Sequence, residues 1–156
     1  MKEKILEAFR ELGFKLEEEE GMGYCFNYEG LNLLYMYNEN DEEFLNIALP
    51  GIVDVEEDKM LQICALLEKI NSTLKYIKAY ILGNSVWLFY ERELFGEEDL
   101  MTVISRMILH LEAGVSFARK AMAEIEETMT NDSSDDDTAE SAEEIDAEEI
   151  TDDDNE

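Results

Sequence analysis

Positions 74–91 read LKYIKAYILGNSVWLFYE, two runs rich in β-branched and aromatic residues that meet at Gly83 and Asn84. A parallel pair of strands needs a crossover of a dozen or more residues, whereas a two-residue turn returns the chain directly on itself. These runs are therefore predicted to be antiparallel neighbours. This constraint fixes the reading of what surrounds them.

The same pattern occurs upstream. In MGYCFNY the rings of Tyr24, Phe26 and Tyr28 share one face, Glu29 and Gly30 make the turn, and LNLLYMY alternates Leu31, Leu33, Tyr35 and Tyr37 against Asn32, Leu34 and Met36. A polar loop, NENDEE, leads into FLNIALP, with Leu45, Ile47 and Leu49 on one side and the sole proline, Pro50, as its expected end. Helical spacing appears in three places. Ile5, Phe9 and Leu12 mark a first helix over 2–12, closed by Gly13. Met60, Ile63, Cys64, Leu67 and Ile70 mark a second, with Asp54 as its expected cap and Glu57 completing a capping-box pair. From about Glu97, an apolar stripe running from Leu100 to Ile125 marks a third helix.

The order is α-β-β-β-α-β-β-α. Strands grouped as three and two, with tight turns, make the fold α+β: an antiparallel sheet packed by helices, not alternating βαβ units. No repeat of 20–50 residues is evident. The third helix, about 28 residues or ~42 Å long, exceeds the ~36 Å diameter expected of a 126-residue body. A second copy of the chain is the expected cover for its far end.

Charge divides the 156 residues. Segment 127–156 holds 15 of the 40 acidic residues and none of the 12 basic ones. Its sizeable apolar side chains are Met129, Ile145 and Ile150, too few to offset the entropy of ordering it. The expected organisation is a folded domain over 1–126 and an acidic disordered tail over 127–156. A formal net charge of −28 opposes nucleic acid and anionic membrane as partners. The sequence shows no uninterrupted apolar run of membrane-spanning length and no signal-peptide core at its start. Cys25 and Cys64 lie in apolar settings without C-x-x-C spacing, which predicts two reduced core thiols and a cytoplasmic protein.

Chemistry is sparse. His110 stands alone among Met107, Ile108 and Leu111 and reads as a half-buried packing histidine. Cys25 has no neighbouring cation or glycine-rich turn to activate it. The acidic runs lack the spacing, central glycine and closing Glu of a calcium loop. No nucleophile elbow, P-loop or dinucleotide fingerprint is present. The expectation is no catalytic residue, no metal site, no cofactor and no enzymatic activity. The aromatic residues are more telling, because rigid amphipathic rings bury large areas at protein contacts. Phe26, Trp87 and Phe89 are assigned to the core. Tyr35, Tyr37, Tyr76, Tyr80 and Tyr90, with Met107 and Leu111 of the third helix, are the candidate partner-binding residues.

The element order, the block INSTLKYIKAYILGNSVWLFYERELF and the following LMTVISRMILHLEAGVSFARKAM resemble the YbjN-like family of bacterial proteins, which shares the fold of the Tir-type chaperones of type III secretion. The resemblance spans 1–125 and leaves the tail out. It implies a homodimer without catalytic residues or cofactor, and for the secretion chaperones the holding of an extended segment of another protein. The resulting expectation is a non-enzymatic protein-binding module, a dimeric chaperone or adaptor. The alternative is an acidic regulatory protein that occupies a basic partner by charge, as a nucleic-acid mimic.

Overall fold

The computed structural model describes the backbone of residues 1–136 and side chains to residue 131. Helix α1 (Lys2–Glu11) leads to strands β1 (Glu17–Glu19), β2 (Gly23–Tyr28), β3 (Leu31–Met36) and β4 (Phe44–Asp54). A 3-10 turn (Glu57–Lys59) precedes α2 (Met60–Thr73), and β5 (Ile77–Leu82), β6 (Ser85–Glu93) and α3 (Leu100–Asp136) follow. The fold is α+β. Six antiparallel strands form one open sheet in the order β1-β2-β3-β4-β6-β5, with helices packed against it.

Both tight turns form where the sequence places them. Glu29 and Gly30 take φ of 48° and 79°, the pattern of a primed hairpin turn, and Gly83 takes φ of 63°. Alternation then sorts the strands. Tyr24, Tyr35, Ile47, Tyr90 and Ile77 line up as successive Cα partners on the helix side. There they meet Ile5 and Phe9 of α1, Ile63, Leu66 and Ile70 of α2, and Ile104, Met107, Ile108 and Leu111 of α3 in a single core. Gly114 brings α3 close to the sheet. A Cβ at that position would lie 3.2 Å from Leu88 Cδ1. Close helix–sheet approach accounts for a residue that otherwise weakens a helix interior.

Several expectations are corrected. The connector after α1 holds a sixth strand, β1, whose three glutamates carry no alternation but pair with β2. Pro50 does not end β4. The β4–β6 register shifts between Leu49 and Val53, and Gly51 takes φ of 64°, so a bulge absorbs the missing N–H and pairing resumes. Asp54 pairs with Ser85 in the sheet and caps nothing; α2 starts six residues later without a side-chain cap. Of the expected α2 stripe, Ile63 and Ile70 are buried, but Leu66 replaces Cys64 as the third anchor. Cys64 is exposed and Cys25 half-buried, so neither thiol is a core thiol.

Helix α3 runs ten residues past position 126, through the first third of the expected tail. Propagating an existing helix adds one hydrogen bond per residue fixed. Thr128 and Thr130 also donate to the carbonyls of Glu124 and Glu126. The rest of that tail, 137–156, lies outside the described residues. Near the far end of α3, Ile125 and Met129 are half-buried and line a shallow groove with Ala65 and Lys69 of α2, and Lys69 pairs with Glu124 at 3.0 Å. Leu100–Asn131 also has the length and apolarity of a membrane span, although its apolar stripe faces the sheet.

Candidate functional site

Among the described residues no helix packs on the second face of the sheet. One line of Cα partners crosses all six strands there: Glu17, Cys25, Leu34, Ala48, Phe89 and Lys78. Leu34, Ala48 and Phe89 form a small separate cluster with Cys25, Met36 and Trp87 against them, and every member comes from the sheet. Phe89 is completely shielded because other rings lie beside it. Tyr80 stacks parallel at 4.1 Å and Trp87 at 5.9 Å. The Trp87 indole N–H donates to Ser85 Oγ, and Tyr80 itself is 42% exposed. The result is a platform of three stacked rings on an uncovered face. Of the three rings Tyr80 is exposed, Trp87 half-buried and Phe89 buried against them, and an apolar patch on an uncovered face is a candidate contact site.

Polar groups border the rings. Lys78 pairs with Glu91, and Asn46 Nδ2 donates to Glu91 Oε1 at 3.0 Å. That bond leaves Asn46 Oδ1 buried and without a partner. Alternation puts Glu17, Glu19 and Glu93 on the same face, forming an acidic rim. Burial, together with Glu19 and Glu17 nearby, pushes the Cys25 thiol up, away from the reactive thiolate. Burial likewise pushes the Tyr80 phenol up.

Both sheet edges are protected. At β1 the edge is three consecutive glutamates. At β5 the Asn71 carboxamide acts as a substitute strand: its Nδ2 donates to the Ala79 carbonyl at 2.9 Å, and its Oδ1 accepts from the Ala79 N–H at 2.8 Å. Charge and plugging are two ways of preventing uncontrolled edge pairing.

The structure does not bring the seven candidate residues together. Tyr35, at 1% exposure, Tyr90, Met107 and Leu111 lie in the helix-side core, where a partner cannot reach them. Burial pushes the Tyr35 phenol far up. Tyr37 is half-buried under Lys2, whose Nζ sits 4.7 Å from its ring centre. Tyr76, at 64% exposure, takes φ of 67° at the start of β5 and stacks on Tyr90, with His110 edge-on at 5.6 Å. The His110 imidazole is exposed rather than half-buried, and its Nδ1 lies 2.7 Å from the Arg106 carbonyl. Of the seven, Tyr80 alone belongs to the ring platform. Of its partners, both expected in the core, Phe89 is buried in the small sheet cluster and Trp87 packs half-buried against it. Among the described residues no three His, Cys, Asp or Glu side chains gather as a metal site would require.

No family model matches the chain, and no curated protein does. Among solved structures it is similar to YbjN of E. coli, described as a candidate transcription regulator. The TM-score is 0.60 at 12% identity, covering 77% of this chain and 92% of that one. The chain has a YbjN-like fold. At this identity the likeness speaks to the fold alone.

Proposed function

We propose that this chain is a non-enzymatic protein-binding module of the chaperone or adaptor kind, which holds an extended segment of another protein across the bare sheet face. One observation carries the reading: Tyr80, Phe89 and Trp87 form a stacked platform on the sheet face that none of the described helices covers. Such rings offer large contact area at low entropic cost. The protected edges argue against adding the segment as a seventh strand and favour contact through side chains. The YbjN-like fold is in keeping with a small regulatory or binding protein. The link to secretion chaperones belongs to this proposal, as does the cytoplasmic setting. The homodimer belongs to it too and would use another surface, because face-to-face copies would oppose their own acidic rims.

The test is binding of a labelled, extended amphipathic peptide, followed by anisotropy and by Trp87 emission. Wild type is expected to bind with a shift in emission. Tyr80→Glu, which places charge on the platform without emptying the core, is expected to lose binding while keeping the wild-type circular dichroism spectrum. Equal binding by both proteins sinks the reading. The charge-mimic alternative predicts instead that binding follows ionic strength and ignores Tyr80.

A further inference from the structure

At one corner of the bare face, between the start of β2, the end of β3 and the start of β4, lies a cleft of about 360 Å³. Its apolar lining is Met22, Met36 and Phe44, and its polar lining includes Asp41, Asn46 and Glu91. Met36 also packs against the Leu34–Ala48–Phe89 cluster, so cleft and platform are continuous.

The polar groups are unbalanced. Asn46 Nδ2 is committed to Glu91, which fixes the amide and leaves Oδ1 as a buried acceptor without a donor. Asp41 is in no ion pair among the described residues. Glu91 shares its charge with Lys78. A buried acceptor and a nearby unpaired carboxylate call for a ligand that brings several N–H donors and positive charge. Guanidinium has five donors in a plane, no acceptor, and an apolar stem suited to methionine and phenylalanine walls. Met22 and Phe44, 43% and 44% exposed, are not held in the core and can move aside to admit it.

We propose that this cleft receives the guanidinium of an arginine carried by the partner segment that lies across the platform; the proposal rests on the protein-binding reading above. The stem lies along Met22, Met36 and Phe44. The head donates to Asn46 Oδ1 and Asp41. The acidic rim of Glu17, Glu19 and Glu93 draws such a segment in, and the net charge of −28 adds to that pull.

The full chain is titrated with two fluorescein-labelled peptides of alternating leucine and threonine, one with a central arginine and one with citrulline, its uncharged near-isostere. The arginine peptide is expected to bind about tenfold tighter. Asn46→Leu and Asp41→Asn are each expected to reduce that preference to about threefold or less. Glu57→Gln, which removes the same charge from the exposed 3-10 turn, is expected to leave it unchanged. Equal affinity for the two peptides overturns the cleft assignment and leaves the platform standing. So does a preference that survives both substitutions. Free arginine binding as tightly as the peptide also overturns it, by making the cleft a small-molecule site. Failure of both peptides to bind or to shift Trp87 emission overturns the protein-binding reading, and this proposal with it.

Discussion

Replacing Asn71 with alanine tests whether the carboxamide at the end of α2 plugs the sheet edge. The substitution removes two hydrogen bonds, of 2.9 and 2.8 Å, to Ala79 O and N. A neutral hydrogen bond contributes about 0.5–1.5 kcal/mol net, so the pair accounts for roughly 1–3 kcal/mol. Two effects reduce the loss. Alanine is the better helix former by up to about 0.7 kcal/mol. Asn71 is itself exposed, so water reaches the vacated Ala79 groups and limits the penalty of leaving them unpaired. The expected net cost is about 1–2 kcal/mol, a drop of roughly 3–10 °C in Tm for a domain of this size. Urea unfolding followed by Trp87 fluorescence and far-ultraviolet circular dichroism measures it. Sedimentation velocity measures the second consequence, concentration-dependent association through the opened β5 edge. Asn71→Asp sharpens the test: a carboxylate still accepts from the Ala79 N–H but repels the Ala79 carbonyl, and it recovers a donor only on protonation, below about pH 4. An alanine variant within about 0.3 kcal/mol of wild type and equally monodisperse refutes the plug.

Gly23→Ala is expected to cost about 2–4 kcal/mol by urea midpoint, because Gly23 has φ of 141° and a Cβ there would overlap the Tyr35 carbonyl oxygen. Gly30→Ala, at φ of 79° but in open space, is the control and should cost about 1–2 kcal/mol. The loop before α3 should respond to acid. The Phe95 N–H, at 2.7 Å, holds the Glu98 carboxyl below its ordinary 4.5, and the Thr102 hydroxyl holds Asp99 below 3.8. Depressed folded values stabilise above the unfolded pKa, and that stabilisation is lost as pH falls through the folded values. Thermal midpoints of Glu98→Gln and Asp99→Ala should therefore approach wild type below about pH 4 and diverge from it at neutral pH; a constant gap contradicts the assignment. Trp87→Phe, which keeps a stacked ring on Phe89, should leave the unfolding midpoint within about 1 kcal/mol of wild type while removing the emission response to a bound peptide.

Where two-residue periodicity was the signal, the sequence was legible. Tyr24, Phe26 and Tyr28, Leu33 and Tyr35, and Leu45, Ile47 and Leu49 all point to the side that alternation assigns, and both tight turns form at their glycines. The misreadings share a physical cause: size and apolarity place a residue on a face but do not say which face the helices cover. Trp87, expected in the core, therefore lies half-buried on the uncovered face, Phe89 is buried as expected but in the small sheet cluster, and Met107 and Leu111, expected to meet a partner, are turned inward by α3. Strand β1 carries no periodic signal, because an edge strand tolerates Glu-Glu-Glu once its neighbour supplies the ladder. Asn71 carries no sequence signal for its role, which depends on Ala79, eight residues later, and only folding brings the two together. Pro50 followed its usual rule until the bulge at Gly51 supplied an exception.

The two protected edges and the single bare face limit how this fold can hold an extended chain. Edge addition reads mainly backbone, so it is permissive in sequence, and an open edge invites self-pairing. Here Asn71 and the β1 glutamates oppose that route at opposite ends of the sheet. A segment on the bare face instead meets side chains: the rings of Tyr80 and Trp87 above Phe89, and the acceptors of Asn46 and Asp41 at the corner. Under the proposed reading, contact of that kind selects by residue type, with apolar residues for the platform and a cation for the cleft. The rings of Tyr80 and Trp87 shield Phe89 by stacking on it, and under the proposed reading the acidic rim repels other copies while attracting a basic segment. On this argument, neutralising the rim with Glu17→Gln, Glu19→Gln and Glu93→Gln together weakens capture of a basic peptide and at the same time increases self-association. A change in only one of the two would separate attraction from repulsion and break the argument.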